Sequence, residues 1–208
     1  ILLTPAEADL FSMFRSMVQQ RQLGTTVRVA GGWVRDRLLG YPSKDDIDIA
    51  LDNLTGVQFA THLSEWAALQ GRVFEMGIIQ MNPDKSKHLE TVAAKFGDLE
   101  VDFVNMRTES YATDSRIPQM EIGTPKEDAL RRDLTINALF YNIHTGQVED
   151  FTNRGIRDLS LGVVRTPLPA LVTLTDDPLR ALRVVRFACR LRFRVAQEAA
   201  EACACRTV

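Results

Sequence analysis

The chain has 208 residues, enough for one or two domains. With 45% hydrophobic and 25% charged residues, 8 Pro and 12 Gly, its composition is globular, which excludes a disordered or collagen-like chain. The net charge of -2 excludes a general polycation field, yet residues 1–104 carry 10 basic and 14 acidic side chains and residues 105–208 carry 15 and 13, so an anion-binding surface is expected late in the chain.

No apolar run reaches the roughly 18 residues of a membrane span, so no membrane partner is expected. Three Cys, two of them in the last six residues, fit a reducing compartment better than a disulfide framework. No Cys or His spacing suggests zinc. The chain opens on Ile1, so an upstream piece is expected and no targeting segment can be read. Cytoplasm is the first expectation, with mitochondrion and nucleus open.

Thr4-Pro5-Ala6-Glu7 predicts a helix start, with Thr4 as cap, Pro5 in the first turn and Glu7 closing a capping box. Leu10, Phe11, Phe14, Met17 and Val18 follow at helical spacing, to an end at Gly24. Residues 27–30 read as a strand, followed by Gly31-Gly32 and a short helix to about Leu39. Residues 46–51 alternate acid and aliphatic, as a half-buried strand does. Residues 57–69 predict an amphipathic helix. Residues 72–81 and 88–106 read as strands, with a turn at 82–84. Residues 107–122 are polar and read as a mobile loop. Thr124-Pro125-Lys126-Glu127 repeats the capping box and predicts a helix to about Leu139. Residues 140–143 and 148–151 flank a hairpin turn. Residues 152–176 read as a Gly/Pro-punctuated connection, and 178–191 as a helix. The mixture argues α+β, with a domain boundary near residue 152.

Asp46 and Asp48 fall on one face of their strand. Paired carboxylates repel, and hard oxygen donors of this kind suit Mg²⁺. An isolated Asp-x-Asp reads first as a polar strand edge, but Ile47, Ile49 and Leu51 bury the other face and fix both acids on one side. Asp102 lies in another strand-like run, as a third carboxylate or a solvent-facing acid. Strand, Gly31-Gly32 and helix start form a candidate phosphate cradle, with Arg35 one turn in. Arg131 and Arg132 could neutralise a triphosphate. Asp133 and Asn137, four residues apart, share a helix face and could orient a sugar hydroxyl; the plain alternative is a solvated face with Asp133 paired to an Arg. Asp177 before Pro178 is a good N-cap. Beyond it, residues 180–194 hold six Arg and no acid, and Arg180, Arg183, Arg186 and Arg190 form a stripe that reads as an anion track for triphosphate or RNA backbone.

Gly-Gly-x-Val-Arg-Asp at 31–36, Asp-x-Asp at 46–48, Arg-Arg-Asp-Leu-Thr-Ile-Asn-Ala-Leu at 131–139 and Asp-Asp-Pro-Leu-Arg at 176–180, in this order, resemble the tRNA nucleotidyltransferase and poly(A) polymerase family. More narrowly they resemble its class II CCA-adding members. Residues 150–159 resemble the hinge motif between head and neck, and 103–107 with 114–118 look closest to eukaryotic-type members. The resemblance covers about residues 25–195. It implies a polymerase-β-like nucleotidyltransferase head with a mixed sheet over residues 1–151. A hinge and the start of an α-helical neck, incomplete, would fill 152–208. It implies addition of CCA to tRNA 3′ ends from CTP and ATP, with Mg²⁺ on Asp46 and Asp48. Asp102 matches a position that is acidic in relatives. Gly32, Arg35 and Arg132 match nucleotide contacts, Asp133 and Asn137 match ribose recognition, and Asp177 and Arg180 match base reading, continued by Arg183 and Arg186. Poly(A), CC-only or A-only addition, or a non-catalytic nucleotide- or RNA-binding fragment, are the alternatives. The motif usually begun by Glu begins here with Asp176, and the chain ends at Val208 where relatives continue.

Overall fold

The computed structural model describes residues 1–41, 46–79, 91–110 and 119–205. The turn expected at 82–84, the middle of 107–122 and the last three residues lie outside them. Contacts divide the chain into two compact units: residues 1–106 with 140–148, and residues 107–139 with 149–208. The second therefore holds 107–139 as well as the residues after 151.

The first unit opens with helix α1 (Pro5–Gln20), where the Thr4/Glu7 capping box forms as its sequence requires. Strand β1 (Val27–Ala30), helix α2 (Gly32–Leu38) and strand β2 (Ile47–Leu51) follow. Helix α3 (Gly56–Ala68) has a second capping box, Thr55 with Gln58. Strands β3 (Glu75–Ile79), β4 (Thr91–Phe96) and β5 (Leu99–Asn105) come next. The single strand expected over 88–106 is thus two, broken where Gly97 turns the chain at φ 61°.

Seven strands form one mixed sheet in the order β3-β4-β5-β2-β1-β8-β9, closed by the hairpin β8 (Phe140–Asn142) and β9 (Gln147–Glu149). β2 and β5 run parallel, while β1 pairs antiparallel with both β2 and β8. Under the sheet Phe14 packs at centroid distances of 5.6 Å on Phe59 and 5.8 Å on both Phe96 and Phe103, so α1 and α3 share one aromatic core with β4 and β5.

In the second unit, β6 (Arg107–Ser110) and β7 (Gln119–Ile122) form an antiparallel ribbon, where a loop was expected. Helix α4 (Pro125–Leu130) stops nine residues short of the expected end. Leu134 is extended (φ -134°, ψ 144°), its N–H donates to Asp133 Oδ1 at 2.8 Å, and the Thr135 N–H goes to the Arg165 carbonyl. Those bonds replace the helical ones, and only a 3₁₀ turn (Thr135–Asn137) follows. The expected connection over 152–176 contains α5 (Gly155–Leu161), β10 (Val163–Val164) and α6 (Ala170–Asp176). Helix α7 (Leu179–Leu191) buries Val184, Phe187 and Leu191; β11 (Arg194–Val195) pairs parallel with β10, and α8 (Gln197–Cys203) follows. Among the described residues no helix is long and apolar enough to cross a membrane.

Gly56 marks the tightest approach of α3 to the sheet: a Cβ there would sit 2.7 Å from the Phe103 carbonyl oxygen and 3.2 Å from its Cβ. Gly56→Ala is expected to lower stability by about 1–3 kcal/mol, read as a lower urea midpoint at constant slope. An unchanged midpoint would show that β5 yields at Phe103.

Candidate active site

The carboxylates sit at the centre of the sheet. Ile47, Ile49 and Leu51 are buried, so the period of two turns Asp46 and Asp48 to the other face. The parallel register sets Asp48 directly beside Asp102 on β5. Asp46 is exposed, and Asp48 and Asp102 are half-buried. Burial, then the charges of Asp46 and Glu100, push the Asp102 carboxyl above its ordinary pKa. An open cleft of about 680 Å³ starts at Asp46 and Asp102 and extends along Met76, Ala94 and Lys95.

Among the described residues, no three His, Cys, Asp or Glu side chains are gathered as a ready metal cage. The donor set is an acid pair with a third carboxylate alongside, all hard oxygens, with the charge of Asp46 acting on Asp102. That suits a divalent cation that keeps water and phosphate oxygens in its other positions.

Gly31, at φ 73°, turns β1 into α2, and Gly32 is the first residue of that helix. Arg35 is buried, 2% exposed, with its Nε donating to Asp36 Oδ1 at 2.7 Å.

The remaining candidates lie in the second unit. Arg132 donates from Nε and Nη2 to Asp128 Oδ2 at 3.0 and 2.9 Å, and from Nη1 to the Asn137 carbonyl at 3.1 Å. Arg131 Nε bonds Asp128 Oδ1 and the Arg107 carbonyl, both at 2.9 Å. Asp128 also accepts the Arg107 backbone N–H at 3.2 Å. It is 1% exposed, it organises both arginines, and sequence reasoning missed it. The signal was there: Asp128 stands three and four residues before Arg131 and Arg132. Burial would raise its pKa, but the charges of Arg132 and Arg131 and their hydrogen bonds override this and hold it below the ordinary value.

Asp133 and Asn137 meet as expected, Nδ2 to Oδ1 at 3.2 Å, although no helix joins them. Asp133 Oδ2 also accepts from Arg183 Nε at 2.7 Å. The arginine stripe on α7 therefore has acids after all. They come from outside 180–194: Asp133 on Arg183, and Asp177 on Arg180 at 3.7 Å. Asp177 Oδ1 also accepts the Leu179 N–H at 3.0 Å, although the N-cap position of α7 falls to Pro178 and not, as expected, to Asp177. Arg183 and Arg186 lie over the Phe187 ring at 5.7 and 4.9 Å.

A mixed sheet with acids on adjacent central strands, followed by arginines held in fixed geometry, defines a nucleotidyltransferase head. The chain belongs to the poly(A) polymerase head-domain family, whose model matches residues 27–165. It is 51% identical over 195 residues to the mitochondrial CCA tRNA nucleotidyltransferase of Saccharomyces cerevisiae, covering 91% of this chain and 36% of that protein. The structure is similar to apo form II of a CCA-adding enzyme (TM-score 0.80, 28% identity, 97% of this chain and 44% of that one). It is also similar to a CCA-adding enzyme in complex with ATP (TM-score 0.73, 28% identity, 97% and 41%). The chain spans about a third of the length of the curated relatives it matches. Nucleotidyltransferases of this family generally use a divalent metal.

A carboxylate whose folded pKa is depressed stabilises the fold above its unfolded pKa, and that contribution fades as pH falls through the folded value. Asp128→Ala is therefore expected to cost about 3 kcal/mol at pH 7, leaving two arginines without their counter-charge. The gap to the parent protein should narrow below about pH 4 in urea melts. A gap independent of pH would deny Asp128 this electrostatic role.

Proposed function

We propose that this chain carries the nucleotidyl-transfer centre of a CCA-adding enzyme, extending tRNA 3′ ends from CTP and ATP with Mg²⁺ and no nucleic-acid template. The observation that carries the reading is the parallel pairing of β2 with β5, which sets Asp48 beside Asp102 with Asp46 on the same face as Asp48. Asp46 and Asp48 would hold Mg²⁺, with Asp102 as the third carboxylate. When bound, Mg²⁺ supplies acidification of the attacking hydroxyl and charge neutralisation on the triphosphate.

The chain's own residues do the rest. Gly32 and Arg35 contact the nucleotide in the first unit and Arg132 in the second. Asp133 and Asn137 orient the ribose. Asp177 and Arg180 read the base. A carboxylate accepts from an exocyclic amine, and a guanidinium only donates. Cytosine and adenine both present an amine beside a ring-nitrogen acceptor. Uracil and guanine present a carbonyl beside an N–H, so both contacts fail. The ion pair of Asp177 with Arg180 supports this role, because it keeps acceptor and donor side by side at the start of α7. Arg183 and Arg186 continue the same helix. We assign residues 1–151 to the head and 152–208 to the hinge and first part of the neck. The name of the yeast relative supports a mitochondrial pool within the cytoplasmic, mitochondrial or nuclear expectation.

The test is extension of a tRNA lacking its CCA end, with CTP, ATP and Mg²⁺. Addition of CCA should fall at least about a hundredfold in the Asp46→Ala/Asp48→Ala double variant. Extension that survives the double substitution would overturn the metal assignment, and a poly(A) product the substrate assignment. CTP binding without any addition would favour a nucleotide-binding fragment. In the same assay Asp177→Ala should lose about tenfold of the preference for CTP and ATP over UTP and GTP. Unchanged preference would remove Asp177 from base reading.

A further inference from the structure

Three helices open on a capping box among the described residues: Thr4 with Glu7, Thr55 with Gln58, and Thr124 with Glu127. Gln58 and Glu127 are exposed, as the reach back to the cap N–H permits. Glu7 is 2% exposed. Capping does not require that burial, and burying a carboxylate is costly unless it is paired. Something besides the cap holds Glu7 inside.

Its two oxygens divide the work. Oε2 takes the Thr4 N–H at 2.7 Å and the Thr4 hydroxyl at 3.0 Å, which completes the box. Oε1 accepts the Trp33 indole N–H at 2.8 Å and pairs with the Arg37 guanidinium. That guanidinium also lies over the Trp33 ring at 5.5 Å. Trp33 packs on Phe11 and Tyr141 at centroid distances of 5.9 and 5.6 Å. Burial would raise the Glu7 pKa, but the Thr4, Trp33 and Arg37 bonds hold it below the ordinary value, so the charge opposite Arg37 is kept.

Trp33 and Arg37 are four residues apart on α2, so at about 100° per residue they share one side of that helix. Arg35 lies about 200° from each, on the opposite side. The helix has only seven residues and its start, Gly31, offers no side-chain cap, so its rotation is not fixed from within. Val34, Arg35 and Asp36 are buried as well, with Arg35 paired to Asp36, and the grip on Trp33 and Arg37 adds the anchor that reaches α2 from α1.

We propose that Glu7 is a positioning residue for nucleotide binding: by holding Trp33 and Arg37 it sets the rotation of α2 and thereby aims Arg35. The proposal rests on the role given to Arg35 above. It makes α1, which precedes the matched residues 27–165, part of the nucleotide-binding apparatus.

The test uses the whole 208-residue chain and measures CTP dissociation constants with Mg²⁺ by equilibrium dialysis. The temperature is one at which circular dichroism shows every variant folded. Glu7→Ala should weaken CTP about tenfold. Trp33→Phe, which deletes the indole N–H, should weaken it about threefold. Gln58→Ala removes a comparable cap partner from α3 and should stay within about twofold of the parent. In an Arg35→Ala background, Glu7→Ala should add no further loss, because the two act in series. Parent-like CTP affinity in folded Glu7→Ala, or an equal loss in Gln58→Ala, would overturn the proposal. Should Glu7→Ala fail to fold, parent-like affinity in Trp33→Phe overturns it instead. A parent chain that does not bind CTP would refute the nucleotide reading itself, and this inference with it.

Discussion

The register of β2 against β5 is the constraint on which the candidate site depends. Ile47, Ile49, Leu51, Val101 and Phe103 are all nearly fully buried. At about 1.5–3 kcal/mol each, their burial stabilises this strand pair by roughly 8–15 kcal/mol as an upper estimate. Two carboxylates about 5 Å apart on adjacent strands repel by only about 1–3 kcal/mol at effective dielectric constants of 80 to 20. The aliphatic face therefore wins and dictates where the charges stand. A slip of one residue would turn the whole apolar set outward, so the register is not negotiable, and the placement of Asp48 beside Asp102 is not either.

The second unit solves a different problem. Long cationic side chains lose rotamer freedom when they bind, and holding them beforehand lowers that cost. Here several arginines with an expected role have a described partner or platform: Arg131 and Arg132 on Asp128, Arg180 on Asp177, Arg183 on Asp133, and Arg186 on Phe187. The anion-attracting charge expected late in the chain is present: Arg183, Arg186, Arg190, Arg192 and Arg194 are exposed, and Arg183 is also paired to Asp133. Asp133 joins two parts of this arrangement, since one carboxylate holds both Asn137 and Arg183.

Local signals were legible in the sequence and distant ones were not. The capping boxes at Thr4 and Thr124, the alternation over 46–51 and the helix of α7 follow from bonds within a few residues, and each formed. The helix expected to reach Leu139 ends at Leu130 because Thr135 donates to Arg165, thirty residues on, which no local pattern announces. The partner of Arg183 in the arginine stripe was not legible for the same reason: Asp133 lies fifty residues away. Asp128 has a local spacing to Arg131 and Arg132, but its burial beneath both arginines comes from the packing and not from that spacing. The acids on β2 were legible as a pair, but only the parallel register joins Asp102 to them.

Burial raises the pKa of each of these acids, and the neighbours of each decide whether that rise stands. Glu7 and Asp128 are almost fully buried, yet both are held below their ordinary pKa by arginine and by hydrogen-bond donors, so each is a finished interaction within the scaffold. Asp102 is less buried, yet its pKa is raised, first by that burial and then by the charges of Asp46 and Glu100, both of its own sign, with no opposing effect among the described residues. A protein selected for stability alone has no reason to leave this repulsion at the middle of its sheet, where an apolar residue or an arginine would remove it. A divalent cation bound as proposed would relieve the repulsion between Asp46 and Asp102. The fold thus supplies counter-charge to Glu7 and Asp128, which position its parts, while the charges that act on Asp102 share its own sign.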